Sequence, residues 1–155
     1  MRVCVVGSGA REHALAHVLG RDADVIVTPG NPGIPGSGPE PPEEIEADLF
    51  VIGPQTPLVE GLADRLRGRG RLVFGTGADG AKLEGSKAWM KEILVDARVP
   101  TARYGVFTEG AGAQAFLDEL DGFFVIKTDG LAAGKGVLVT GDRAEADAAV
   151  AAYLS

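Results

Sequence analysis

Lys127 and Lys135 bracket a loop of small residues in Phe123-Phe-Val-Ile-Lys-Thr-Asp-Gly-Leu-Ala-Ala-Gly-Lys-Gly-Val-Leu-Val-Thr140, and ammonium groups among glycines make anion chemistry. Gly130, Gly134 and Gly136 let the backbone approach a ligand and turn N–H groups toward it, while the two lysines place positive charge where an anion would sit. Phosphate suits such a loop. The flanking runs are β-branched and aromatic at strand length, so the loop is expected to join two strands of a hairpin. A Walker loop is excluded, because Gly130-Leu-Ala-Ala-Gly134-Lys135-Gly136 is one residue short between its glycines and Gly136 stands where Ser or Thr would hold magnesium. An ordinary glycine-rich surface hairpin is the plain alternative. Against it, Lys127 follows directly on an apolar strand, where charge usually has a purpose.

Gly7-Ser-Gly9-Ala-Arg11-Glu12 begins like a dinucleotide fingerprint. Glu12 takes the place of the third glycine, however, and the second strand ends in Thr28-Pro29 rather than in an acid for a ribose, so NAD is not expected. What remains is a tight turn into a helix N-terminus, which favours phosphate through free N–H groups and the helix dipole, or a purely structural turn. Gly30-Asn31-Pro-Gly33 is either a turn or part of a ligand edge. His13 and His17 share a helix face at a spacing that could hold a metal, but no cysteine or clustered acid completes a site. Trp89, at helical spacing from Ile93, reads as core.

These loops need elements to hold them. Val3–Val6, Val25–Val27, Leu49–Ile52 and Leu72–Phe74 read as buried strands, with helices over Arg11–Leu19 and Leu58–Arg67. Strands that are apolar throughout and alternate with helices imply a parallel sheet covered on both faces, whose ligands gather at the carboxyl ends of the strands. Gly7-Ser-Gly9, Thr28 to Gly33 and Gly53-Pro54-Gln55-Thr-Pro-Leu58 each follow a strand and should line one edge. The stretch from Gly30 to Glu46 is rich in proline, glycine and acid without a helical period, so this crossover is expected to lack a proper helix. Beyond it the pattern predicts a helix from Ser86, placed to cap it, to about Ala97. A short strand over Tyr104–Phe107, a helix near Ala113–Leu120, the lysine hairpin and a last helix from Arg143 should follow.

Composition narrows the function classes. A chain of 155 residues with 45% apolar and 24% charged residues can bury a sizeable core and reads as globular. The net charge of −7 with scattered lysines argues against nucleic-acid or anionic-membrane partners. No apolar run approaches the roughly 18 residues of a membrane span. The single cysteine, Cys4, lies in the first strand and fits a reducing cytoplasm.

Taken together, Gly7-Ser-Gly-Ala-Arg-Glu-His-Ala14, Gly30-Asn-Pro-Gly33, Gly53-Pro-Gln-Thr-Pro-Leu58, Leu83-Glu-Gly-Ser-Lys-Ala88, Pro100-Thr-Ala102 and Val125 to Val137 resemble the phosphoribosylamine–glycine ligases, or glycinamide ribonucleotide synthetases, of the ATP-grasp superfamily. The resemblance implies an α/β fold: a Rossmann-like parallel sheet over residues 1–80 that binds substrate, then over 81–155 the first, incomplete α+β part of an ATP-grasp module. It implies de novo purine biosynthesis, in which ATP phosphorylates the carboxylate of glycine and the amine of 5-phosphoribosylamine displaces phosphate from the glycyl phosphate. Rival readings are another ATP-grasp carboxylate–amine ligase and a non-catalytic nucleotide-binding module.

Carried over by position, Lys87 and Lys127 look like the lysines that face the nucleotide's phosphates, and Asp129, Gly130, Gly134, Lys135, Gly136 and Val137 belong to the flap above them, which is expected to be mobile when empty. Gly9, Arg11, Asn31, Gly33, Gly53, Pro54 and Gln55 look like the phosphoribosylamine side, with Gln55 where the family commonly has glutamate. ATP with Mg²⁺ or Mn²⁺ is the implied cofactor set, its metal ligands expected beyond Ser155 and none assigned here. The resemblance further implies a chain that is part of a longer polypeptide and inactive without the remainder.

Overall fold

The computed structural model describes residues 1–132 and 136–155, which form two compact units, 1–82 and 83–155. In the first unit, β1 (Arg2–Gly7), β2 (Asp24–Pro29), β3 (Leu49–Ile52) and β4 (Val73–Phe74) make a wholly parallel sheet in the order β2-β1-β3-β4. Successive side chains of a strand point to opposite faces, and both faces here are covered. Cys4, Val6, Phe50 and Ile52 pack on one side against Leu62, Ala63 and Leu66, while Val3, Val5, Val27 and Val51 pack on the other against Ala16 and Ile34. The unbroken apolar runs are thus the signature of a sheet buried twice.

Helix α1 (Ala10–Leu19) follows β1, as its periodicity predicts. The expected helix over Leu58–Arg67 is instead two short ones, α2 (Gln55–Val59) and α3 (Leu62–Gly68). Gly61 separates them in a left-handed conformation at φ 78°, which a residue with a Cβ adopts only at a cost. The crossover from β2 to β3 holds one short 3₁₀ turn, Pro42–Glu44, in keeping with its composition. Before that turn the chain folds back along the outer edge of β2. Val27 donates its N–H to Gly36 O at 2.9 Å, and Gly38 donates its own to Val27 O at 2.9 Å. Helix α4 (Ala78–Gly85), which the pattern does not show, leads out of this unit in sequence.

The second unit contains α5 (Lys87–Asp96), α6 (Gly110–Asp118), the antiparallel pair β5 (Phe124–Lys127) and β6 (Val137–Thr140), and α7 (Arg143–Tyr153). Its core is small: Ala113, Leu117, Phe124, Ala146 and Val150, with Phe107 and Ile126 at its margin. Ser86 caps α5 as expected, its Oγ accepting the Trp89 N–H at 3.1 Å. Two expectations fail. Tyr104–Phe107 forms no strand, because a strand needs a ladder partner and among the described residues β5 and β6 pair only with each other, while the Phe107 ring packs on Phe116 at 5.5 Å. Trp89 is half-buried rather than core, since α5 buries none of its residues.

Candidate functional site

In the first unit the chain leaves β1, β2 and β3 at one edge of the sheet, and the three loops are tied together there. Gly30 donates its N–H to Gly7 O at 3.1 Å and Gly53 donates to Val6 O at 3.1 Å. Asn31 Nδ2 donates to Ser8 O at 2.7 Å, and its Oδ1 accepts the Gly33 N–H at 2.8 Å, so one amide both bridges two loops and closes its own turn. Arg11 Nη1 reaches Gly53 O at 2.6 Å. Pro54 caps α2 and Gln55 opens it. All seven residues read from sequence for the phosphoribosylamine side, Gly9, Arg11, Asn31, Gly33, Gly53, Pro54 and Gln55, therefore belong to these joined loops. An open groove of about 480 Å³ runs along residues 29–39, with Asn31 and Ser37 in its lining.

Sequence reasoning missed Glu12. The residue is only 4% exposed, and its Oε2 accepts the N–H of Gly9 at 2.7 Å at the head of α1. A Cβ on Gly7 would come within 2.5 Å of Glu12 Cγ, and one on Gly53 within 2.7 Å of Glu12 Cδ. These glycines make room for a carboxylate belonging to the chain itself. The turn into α1 therefore carries a carboxyl group of its own on the N–H of its N-cap residue, Gly9. The signal was present in the spacing: an acid three residues after an N-cap is half of a capping box.

In the second unit the lysine hairpin exists, with Lys127 paired to Val137 at the loop end of the ladder and Thr128 N–H donating to Gly136 O at 2.8 Å. Gly134 and Lys135, both singled out from sequence, lie outside the described residues. Asp129 turns toward α5: Oδ1 accepts the N–H groups of Lys87 at 2.6 Å and Ala88 at 3.2 Å, and Oδ2 accepts the Ser86 hydroxyl at 2.9 Å. Lys87 Nζ donates to Gly130 O at 2.6 Å. Partial desolvation pushes the Asp129 carboxyl up, but the Ser86 hydroxyl and the N–H groups of Ala88, Lys87 and Gly130 outweigh it and hold the group below its ordinary range. Lys87, Lys127, Asp129, Gly130, Gly136 and Val137 are thus gathered around one helix start and one hairpin root. Among the described residues no group of three or more His, Cys, Asp and Glu is placed to hold a metal ion.

The chain matches known proteins along its whole length. Residues 1–84 match the phosphoribosylglycinamide synthetase N domain, and residues 85–155 match the ATP-grasp (A) domain of the same synthetase. The phosphoribosylamine–glycine ligase of Caulobacter vibrioides is 45% identical over 97% of this chain and 39% of its own length. That of Leifsonia xyli is 45% identical over 100% of this chain and 41% of its own. The crystal structure of the Thermotoga maritima phosphoribosylamine–glycine ligase superposes with a TM-score of 0.75 at 31% identity, covering 96% of this chain and 38% of that one. A RimK domain ATP-grasp protein from Sphaerobacter thermophilus, at 20% identity and a TM-score of 0.74, shares the fold. This chain, which spans about two fifths of the length of such relatives, belongs to the phosphoribosylglycinamide synthetase family.

Proposed function

We propose that the protein to which this sequence belongs joins glycine to 5-phosphoribosylamine with consumption of ATP, giving glycinamide ribonucleotide, ADP and phosphate in purine biosynthesis. The observation that carries this is the order of the two matches: an N domain and an ATP-grasp domain of one synthetase, adjoining at residues 84 and 85. The joined loops of the first unit would take the phosphoribosylamine. Arg11 offers a planar set of donors that suits a phosphate, and the Gln55 amide offers both a donor and an acceptor to ribose hydroxyls. Asn31, Gly33, Gly9, Gly53 and Pro54 shape the edge.

Lys87 and Lys127 would neutralise the phosphates of ATP, with Gly130, Gly136 and Val137 beside the hairpin; Gly134 and Lys135, which the resemblance also assigns to the nucleotide, lie outside the described residues. ATP supplies the phosphoryl group that turns the carboxylate of glycine into an acylating agent, and the amine of the second substrate completes the amide. Phosphoryl transfer depends mainly on positioning and charge neutralisation, which fits a site of ammonium groups and backbone N–H donors. ATP-grasp enzymes in general use a divalent metal, but the described residues supply no ligand set for one. We place the protein in the cytoplasm, in keeping with one unpaired, buried cysteine; no helix among the described residues is long and apolar enough to cross a membrane.

The test is product analysis on the full-length protein with glycine, 5-phosphoribosylamine and Mg-ATP. Stoichiometric glycinamide ribonucleotide, ADP and phosphate are expected. Turnover of ATP with another amine or carboxylate in place of these substrates would reassign the protein to a different ATP-grasp ligase, and nucleotide binding without any turnover would make it a binding module.

A further inference from the structure

Both oxygens of the Asp129 carboxylate are engaged by the start of α5, through the N–H groups of Lys87 and Ala88 and the hydroxyl of Ser86, at 2.6, 3.2 and 2.9 Å. The neighbouring residue completes a ring, because the Gly130 carbonyl accepts from Lys87 Nζ at 2.6 Å. Lys87 is thereby gripped at both ends, backbone N–H and side-chain tip, by two consecutive residues of the hairpin root. A lysine side chain is among the most flexible, and such a grip removes the rotamer freedom that would otherwise blur where its charge sits. An ammonium has three donors, so the bond to Gly130 fixes the group without exhausting it.

We propose that Asp129 is a positioning residue for Lys87: its carboxylate docks the hairpin root onto the first turn of α5 and so sets the Lys87 ammonium where it meets the phosphates of a nucleotide. This rests on the reading of Lys87 as a phosphate-facing lysine. Asp129 itself does not touch the nucleotide; it acts through the helix start and through Gly130. The negative charge on the N-terminal end of α5 also complements the helix dipole, and desolvation is outweighed by the hydrogen bonds from Ser86, Ala88, Lys87 and Gly130, which favour the ionised carboxylate.

The full-length protein carrying K87M, D129A, D129N or K87M/D129A tests this, with Mg-ATP affinity and glycinamide ribonucleotide affinity measured by calorimetry and thermal unfolding followed alongside. K87M is expected to weaken Mg-ATP roughly tenfold or more, and D129A by a comparable factor. D129N, whose amide oxygen still accepts N–H groups, should lose less. The double variant should bind Mg-ATP no more weakly than K87M alone, and glycinamide ribonucleotide affinity should stay unchanged throughout. Normal Mg-ATP binding by D129A alongside a defective K87M would overturn the positioning role and leave the reading of Lys87 standing, as would losses that multiply in the double variant. Equal loss of both ligands together with a lowered melting temperature in D129A would reduce Asp129 to a structural residue. Normal binding by K87M would overturn the reading of Lys87 and the positioning role together. Should D129A fail to fold, D129N decides: binding equal to the unmodified protein would sink the proposal.

Discussion

Glu12 and Asp129 serve one electrostatic purpose in two different ways. Each sets a carboxylate on the N–H groups at the head of a helix, α1 in the first unit and α5 in the second. Glu12 does so from inside its own helix, three residues on, and is enclosed by glycine backbone at 4% exposure. Asp129 arrives from 42 residues away and stays exposed. A cap drawn from the same helix forms whenever the helix does. One drawn from a distant loop forms only when two segments have been brought together, so its loss separates them and leaves each intact.

The sharpest way to break this contrast is at Gly7. At φ 132° it occupies a conformation that L side chains rarely adopt, and a Cβ would also crowd Glu12, so G7A should destabilise the first unit by about 3 kcal/mol in denaturant unfolding. The double variant G7A/E12A relieves the crowding and keeps the backbone strain; recovery of the whole loss would show that strain contributes nothing. Next in size, E12Q keeps an oxygen that can accept the Gly9 N–H but replaces the other carboxylate oxygen with a buried NH₂ that needs partners of its own, and should cost about 1–2 kcal/mol. D129N, at an exposed position, should cost less than E12Q in stability while still weakening nucleotide binding. Equal destabilisation by the two would erase the distinction. S86A removes the hydroxyl that caps α5 and holds Asp129, for about 1 kcal/mol.

The smallest effect at neutral pH separates the units instead of perturbing them. Burial pushes the Cys4 thiol up from 9.0 to about 11, so the unfolded chain gives up this proton first. The thiol's contribution to the first unit is full below pH 9 and is lost as pH rises toward 11. Thiol labelling near pH 8 should follow unfolding of the first unit alone, and rapid labelling of the folded protein would contradict the burial of Cys4 in the sheet.

Much of the fold was legible because local pattern and global burial agree. The unbroken apolar run Val3–Val6 could only be a strand covered on both faces, and Ser86 announced the start of α5. The division between α2 and α3 was hidden, because apolar periodicity runs through Gly61 without showing its left-handed backbone. The Tyr104–Phe107 stretch has strand composition, but pairing is a property of the partner and not of the segment. At the candidate site, glycines read as space for a ligand proved in part to be space for Glu12, a distinction that needs the third dimension. The link between Asp129 and Ser86 spans 43 residues and leaves no periodic trace at all.

The return of residues 36–38 along β2 has a bearing on how this protein avoids its own kind. A parallel sheet presents an unpaired ladder at each side, an invitation to any passing strand. Here the proline-rich crossover occupies the hydrogen-bonding groups of Val27, and at the opposite side β4 is only two residues long. A segment too irregular to form a helix thus serves as a guard rail, and lengthening it with a flexible insert should be tolerated far better than replacing Gly36, which sits at φ 80° and whose Cβ would come within 2.6 Å of Val25 O.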